Sequence, residues 1–339
     1  MSARHKLAGA ALVFAAGVLL AACSDTLPQS SLNPAGERAE QVDSLFRLVF
    51  WIAVGVFVLV EGALVYALIR FRQRRADDPN PVQVHGNTRL EIIWTIIPAL
   101  LLLGIAIPTI RTTFDLSEHP TGEGVVAVIV TASQWWWEVE YPDLGVVTAN
   151  EIHVPVGSPV TVELHSKDVI HSFWVPRLAG KQDVVPGRTI SLDFVAAAPG
   201  VFPGQCAEYC GLSHANMRFI VVAEEPEDFD QWVADQRAPA VAAPPGTENA
   251  EGEELFRSVG CVACHTVAGL EGAQGILGPD LTHFGGRTTF AGSTFEINVA
   301  NLTRWLRNPL AMKPGSRMPS YNLTDDQIEA LIAYLMSLE

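Results

Sequence analysis

Long apolar runs dominate the first third of the chain and are missing after it. Residues 7–20, 48–69 and 92–110 hold a single charged side chain among them, Glu61. The second and third runs match the roughly 20 residues a helix needs to cross a hydrocarbon core. They predict a two-helix transmembrane hairpin (48–69 and 92–110) within 23–111. From 112 the pattern changes to short β-rich runs broken by Pro, Gly and Asn, as at 125–131, 159–165 and 189–194. That spacing predicts a β-sandwich over 112–237. Residues 238–247, Ala-Pro-Ala-Val-Ala-Ala-Pro-Pro-Gly-Thr, have the composition of a linker. Beyond them, 248–339 reads as all-α: a helix over 248–259 and a second over 324–338, with Thr324 as N-cap and Asp325, Asp326 and Gln327 in its first turn.

Residues 1–22 combine a basic start (Arg4, Lys6) with the first apolar run, and Leu20-Ala21-Ala22-Cys23 resembles the end of a bacterial lipoprotein signal peptide. Cleavage before Cys23 would leave a lipidated N-terminus outside the cytoplasm; an uncleaved signal with an incidental Cys is the alternative. Arg70, Arg72, Arg74, Arg75 and Arg89 crowd the loop between the two spans. The positive-inside rule makes that loop cytoplasmic. The chain ends and the soluble part then face the outer, periplasmic side of a bacterial cytoplasmic membrane, the side the lipoprotein signal also requires. The net charge of −15 divides as +2 over 1–111, −12 over 112–245 and −5 over 246–339. An acidic exterior fits solubility or a basic protein donor and argues against nucleic acid.

The chemistry gathers in two clusters. Cys206-Ala-Glu-Tyr-Cys210-Gly-Leu-Ser-His214-Ala-Asn-Met217 places two thiols, an imidazole and a thioether within twelve residues. Soft sulfur donors favour copper, and Met is a poor ligand for structural zinc. Two close thiols could bridge two copper ions, with His214 at one end and His171, in Val169-Ile-His-Ser-Phe-Trp-Val-Pro176, the best candidate for the other. A redox-inert disulfide between Cys206 and Cys210 is the competing reading. The second cluster, Cys261-Val-Ala-Cys264-His265, has the spacing for covalent haem attachment with an adjacent axial imidazole. A thioredoxin-like pair would need a βαβ context and a zinc site a second ligand pair, and neither is in the sequence. With Cys23 in the signal, all five cysteines are assigned and none is left for a structural disulfide.

With H-S-F-W-V-P at 171–176 and C-x-E-x-C-x3-H-x2-M at 206–217 in place, the chain resembles subunit II of the haem-copper respiratory oxidases, which carries the dinuclear copper centre CuA. The resemblance implies a cupredoxin-like fold for the sandwich. It also implies that Cys206 and Cys210 bridge the coppers, that His171 and His214 terminate them, and that Met217 and the backbone carbonyl of Glu208 are weak axial ligands. The Glu208 side chain would reach a magnesium ion shared with subunit I. Gln134-Trp-Trp-Trp137 resembles the family segment whose first Trp, here Trp135, takes electrons from soluble cytochrome c; alternation along a strand would put Trp135 and Trp137 on one face, where packing is the competing role. Glu91, in Glu91-Ile-Ile-Trp-Thr-Ile-Ile-Pro98, matches the family carboxylate at the cytoplasmic mouth of a proton channel, with an interfacial carboxylate of no such role as the alternative. Glu61 has no family counterpart and is expected to face a partner subunit. His153 and His165 match no ligand position.

The C-terminal part resembles class I cytochrome c through Gly252-x3-Phe256, Cys261-x2-Cys264-His265, Gly278-Pro-Asp-Leu281 and Arg317-Met-Pro319. The resemblance implies covalent haem c on Cys261 and Cys264, with His265 and Met318 as axial ligands and the Pro279 carbonyl accepting from His265; Met312 and Met336 are weaker distal candidates. The spans contain no His, so oxygen chemistry belongs to another subunit. The expectation is an oxidase subunit II that passes electrons from reduced cytochrome c or a similar donor through haem c to CuA and on to subunit I, where oxygen becomes water and protons are pumped. A membrane-anchored carrier outside any oxidase is the alternative. A quinol oxidase subunit is disfavoured by the intact copper ligands, and nitrous oxide reductase by the lack of a large His-rich domain.

Overall fold

The computed structural model describes residue 17 and residues 27–72, 82–83, 85–120, 122 and 124–339. Cys23, Arg74, Arg75 and, apart from Gly17, the predicted leader lie outside the described residues. The chain divides into two compact units, 40–119 and the remainder.

The first unit is built on α1 (Glu37–Arg70) and α2 (Thr88–Ser117). At 34 and 30 residues they are about 50 and 45 Å long, enough to exceed the hydrocarbon core. Leu59 is 71 % and Leu100 63 % exposed, and α2 has no buried residue. Apolar side chains bare on every side of a helix need lipid or another protein as solvent, so this unit supplies two membrane spans. At the start of α2 the Asn87 side chain accepts from the Leu90 amide at 3.2 Å, while Glu91 Oε1 accepts from the Asn87 amide at 3.2 Å. Glu91 therefore caps its own helix. Glu61 lies partway along α1 and lines a groove of about 470 Å³ whose other walls are apolar, including Val56, Phe57, Leu101 and Ile105.

The second unit holds a sandwich of two five-stranded sheets. One runs β3 (Val146–Ala149), β2 (Trp136–Tyr141), β1 (Val126–Ser133), β5 (Val160–Ser166), β8 (Ile190–Phe194); the other runs β4 (Glu151–Pro155), β10 (Arg218–Glu224), β9 (Gly200–Cys206), β6 (His171–Trp174), β7 (Gln182–Val184). Strand alternation builds the core: Val128, Val130 and Ala132 of β1 and Phe219, Val221 and Ala223 of β10 are buried while their neighbours are not. Trp137, Phe173 and Phe219 pack edge-on or stacked at 4.3–5.7 Å between centroids. A helix that the strand pattern does not announce, α3 (Pro226–Gln236), follows β10 and buries Phe229 and Val233 against this core. Its start is legible afterwards: Pro at the first position, then Glu227 and Asp228 in the first turn. Residues 27–36 also pack on the sandwich, where the Ala35 amide donates to Arg177 O at 2.7 Å and the Ala197 amide to Ala35 O at 3.0 Å.

The remainder of this unit is helical, with α4 (Glu248–Ser258), α5 (Val299–Arg307), α6 (Pro309–Met312) and α7 (Asp325–Met336) joined by long loops and one small hairpin, β11 (Thr289–Phe290) with β12 (Phe295–Glu296). Phe256, Leu302, Leu331 and Tyr334 form its core. Thr324 caps α7 and Gln327 reaches back to the Thr324 amide, a full capping box. The segment 238–247 is not loose. Its Ala240 amide donates to Ala268 O at 2.8 Å, its Ala243 amide to Glu253 at 3.1 Å, and the His283 ring lies 3.0 Å from both the Ala238 and Glu339 carbonyls.

Candidate metal centres

Pairing of Phe173 in β6 with Cys206 at the end of β9 brings the two strand ends to one rim of the sandwich. There the Ala207 amide donates to Ser172 O and the Cys206 amide to Met217 O, each at 2.9 Å, which closes the loop 207–217 at its neck. The loop folds its donors into a chain: His171 Nδ1 lies 3.9 Å from Cys206 Sγ, Cys206 Sγ 3.8 Å from Cys210 Sγ, and Cys210 Sγ 3.6 Å from His214 Nδ1. Met217 Sδ stands 3.8 Å from Cys210 Sγ, and Glu208 O 3.2 Å from Cys206 Sγ. Two thiols sit in the middle, an imidazole at each end, and a thioether and a carbonyl at the flanks. His171, Cys206 and Cys210 are buried and hold their ligand atoms within 4.8 Å of one another. The thiols are separate and not joined in a disulfide. A hydrogen bond from Cys210 holds Cys206 well below the ordinary thiol range despite burial, and the resulting thiolate pushes Cys210 up. A thiolate at the centre of a mixed S/N set suits copper. The carboxylate of Glu208 is exposed.

Asp168, which carries no motif signal, orients the site. Its Oδ1 lies 2.8 Å from His171 Nε2, so Nδ1 is left to face Cys206; its Oδ2 accepts from the Gln134 amide at 2.7 Å. A carboxylate behind a ligating imidazole is the usual outer-shell support of a metal site. The Asp-x2-His spacing at 168–171 is the only trace of it in the sequence.

Trp137 lies in β2 and is fully buried, but the strand begins at Trp136, so Trp135 stands ahead of it and does not share its face by alternation. Trp135 is buried for a different reason. Its indole N–H donates to Cys210 O at 3.1 Å on one side, and the loop before Met318 covers it on the other. The residue is left 8 % exposed.

In the helical part, His265 Nδ1 lies 2.8 Å from Pro279 O, which leaves Nε2 for a metal. Burial draws His265 below the ordinary imidazole range, partly offset by that carbonyl. Gly278 lies so close that a Cβ there would meet the ring at 2.5 Å. Cys261 and Cys264 are free and only partly buried. Met318 and Cys261 both pack against the apolar cluster of this domain, and Met318 Sδ accepts from Trp305 Nε1 at 3.1 Å. The buried Nε of Arg287 has no partner, and Arg287 acts electrostatically on His265. A buried guanidinium whose Nε has no partner, an imidazole oriented by a carbonyl, two partly exposed thiols and an apolar wall fit a haem with its anionic substituents. Met336 is 38 % exposed at the end of α7, a poor position from which to close a haem pocket.

The two parts of the second unit meet at the copper-loop rim. Thr288 and Thr289 direct their amides and hydroxyls at Glu151 Oε1, at 3.0–3.2 Å. Arg218 N donates to Gly292 O at 2.9 Å and Thr294 Oγ1 to Asn216 O at 3.0 Å. Lys313 is buried and donates to Trp135 O at 2.6 Å and Ala291 O at 2.7 Å, and burial brings its pKa down to about 7. His153 of β4, an ordinary strand residue by its sequence context, lies 3.2 Å from Glu224 and 4.0 Å from Glu151, stacked on Trp232.

Comparison with known proteins gives three family matches: cytochrome c oxidase subunit II, transmembrane domain, over residues 29–112; cytochrome c oxidase subunit II, periplasmic domain, over 144–224; and cytochrome c over 249–339. Cytochrome c oxidase subunit 2 of Alkalihalophilus pseudofirmus is 40 % identical over 95 % of this chain and 94 % of its own length. The protein of the same name from Bacillus sp. strain PS3 is 42 % identical over 95 % and 94 %. Quinol oxidase subunit 2 of Bacillus cereus is 33 % identical over 61 % of this chain and 74 % of its own length.

Proposed function

The chain belongs to the cytochrome c oxidase subunit II family, and from that premise we propose that it is the electron-entry subunit of an oxygen-reducing complex, with haem c and CuA in series. Membership makes it a two-span membrane subunit of an oxidoreductase that binds copper and haem and associates with other oxidase subunits and redox partners. The observation that carries the finer reading is the order of donors, His171, Cys206, Cys210, His214, with Met217 and the Glu208 carbonyl at the flanks. The copper pair and the haem, when bound, supply two one-electron carriers between a reduced donor such as cytochrome c and subunit I, where oxygen is reduced to water with proton pumping.

The chain's own residues do the rest. Cys206, Cys210, His171 and His214 would hold the copper, and Asp168 fixes the His171 tautomer. Cys261 and Cys264 would hold haem c covalently, His265, oriented by Pro279 O, and Met318 would ligate its iron, and the group would supply a one-electron carrier. Trp135 serves the path between the two centres and no longer faces a soluble donor, because the haem domain covers it. The exposed Glu208 carboxylate, one oxygen of which accepts from the Tyr209 amide, would take magnesium at the subunit I boundary. One oxygen of Glu91 caps α2, and the carboxylate stands at the cytoplasmic mouth of the proton channel. The soluble parts lie on the periplasmic side, and Cys23 carries the lipid.

Spectra of the complex purified through this chain test the reading. The expected result is near-infrared absorption lost in Cys206→Ser, together with a c-type haem that stays on this polypeptide under denaturing conditions and is lost in Cys264→Ser. A wild-type chain with zinc or no metal at 206–217 overturns the copper assignment.

A further inference from the structure

The indole of Trp135 is held between two backbones that lack side chains. Gly211 of the loop 207–217 comes so close that a Cβ there would stand 3.0 Å from the ring, and Gly315 of the haem domain so close that a Cβ would stand 2.5 Å from it. Both glycines have positive φ, +116° and +82°, so a larger residue at either place meets a backbone penalty as well as the ring. Gly315 lies three residues before Met318. On the copper side the same indole donates to Cys210 O, as does the Gln134 side chain at 2.7 Å. The arrangement is fastened by Lys313, whose buried Nζ donates to both Trp135 O and Ala291 O. Ser213 of the copper loop donates to Pro314 O, and Arg317 reaches Gln134 at 3.3 Å.

We propose that Lys313 and Gly315 are positioning residues for internal electron transfer, seating the segment before Met318 on the Trp135 ring so that an unbroken run of contacts joins the haem domain to the Cys210 carbonyl. This rests on the reading of 206–217 as the copper site and of 261–265 with Met318 as the haem site. The step is a one-electron transfer: the haem iron is oxidised by one electron, the copper pair is reduced by one, and no bond or proton changes hands. Its rate depends on the gap between the two sides, because electronic coupling falls steeply wherever a contact is replaced by space. A lysine is needed because its single flexible head reaches two carbonyls on different segments. Gly315 is needed because any side chain would lift the loop off the ring.

The test uses the intact oxidase with Lys313→Met, which keeps length and removes the charge, and with Gly315→Ala. Two quantities are read: the rate of internal transfer after rapid reduction of the haem domain, and deuterium uptake by peptides covering 133–137 and 309–318. Each variant is expected to slow internal transfer by about tenfold or more, since small misplacements of reacting groups carry penalties of that order. Haem and copper spectra should stay unchanged, uptake should rise in both peptides, and the double variant should be no slower than the worse single one, as expected for residues acting through one contact. Wild-type rates and wild-type uptake in both variants overturn the proposal. Loss of copper or haem from the wild-type chain overturns the parent reading instead, and the uptake measurement still decides whether Lys313 and Gly315 seat the segment.

Discussion

Asp168 shows how a residue without a motif governs one with a motif. Its carboxylate fixes which nitrogen of His171 faces Cys206 and also holds the Gln134 amide, so one side chain sets both a ligand and the approach to it. Asp168→Ala is expected to lower copper affinity by about 10- to 100-fold, read by competition with a copper chelator, while the haem spectrum stays constant. Glu151 and His153 set a pH window for the seam between sandwich and haem domain. Burial opposes the charge on Glu151, but His153, Arg287 and the Thr289 amide outweigh it and hold the carboxyl below its usual range. Burial likewise opposes charging of His153, and Glu151 and Glu224 outweigh it and raise the ring. A lowered acid stabilises the fold above its ordinary value of about 4 and loses that contribution as pH falls through the lowered one. A raised imidazole stabilises it below about 6.5 and loses that contribution as pH rises through the raised one. Thermal unfolding of the intact chain should therefore peak between these limits, and Glu151→Gln should flatten the acid limb.

At the level of elements, the two spans, the β-rich run, the haem-motif helix and the terminal helix are legible because each has a period or a cap that belongs to it alone. Thr324 is an example. A hydroxyl followed three residues later by Gln327 announces a helix start, and both halves of the capping box form. Thr324→Ala should cost about 1 kcal/mol in denaturant unfolding of the haem domain. The order of His171, Cys206, Cys210 and His214 is legible for the same reason, since they lie within one loop and one strand end. What the sequence hides is whatever depends on partners far along the chain. Alternation aligns Trp135 with Trp137, yet Trp135 is buried by a loop some 180 residues later, at Lys313 and Gly315. No local period encodes that, and neither Lys313 nor Glu151 differs in its neighbourhood from an ordinary surface charge. The helix α3 is not legible in the sequence because its eleven residues are mostly polar and present only a narrow apolar stripe.

On the scale of the whole molecule, the seam makes the haem domain and the sandwich one body, held by Glu151, Arg218, Thr294 and Lys313. Buried links of this kind are little screened by salt, unlike a transient complex between surface charges. Internal transfer should therefore keep its rate from low to high ionic strength, whereas reduction by an added soluble donor should change with salt; rapid-mixing kinetics at several salt concentrations separate the two. The connector at 238–247 carries this further. The amides of Ala240 and Ala243 and the carbonyl of Ala238 are committed to Ala268, Glu253 and His283, which ties the connector to the helical domain rather than leaving it a free tether in solvent. An encounter that would otherwise depend on diffusion has been made part of the fold. If the proposed series of haem and copper holds, the supply of electrons to copper does not depend on how dilute the carrier is.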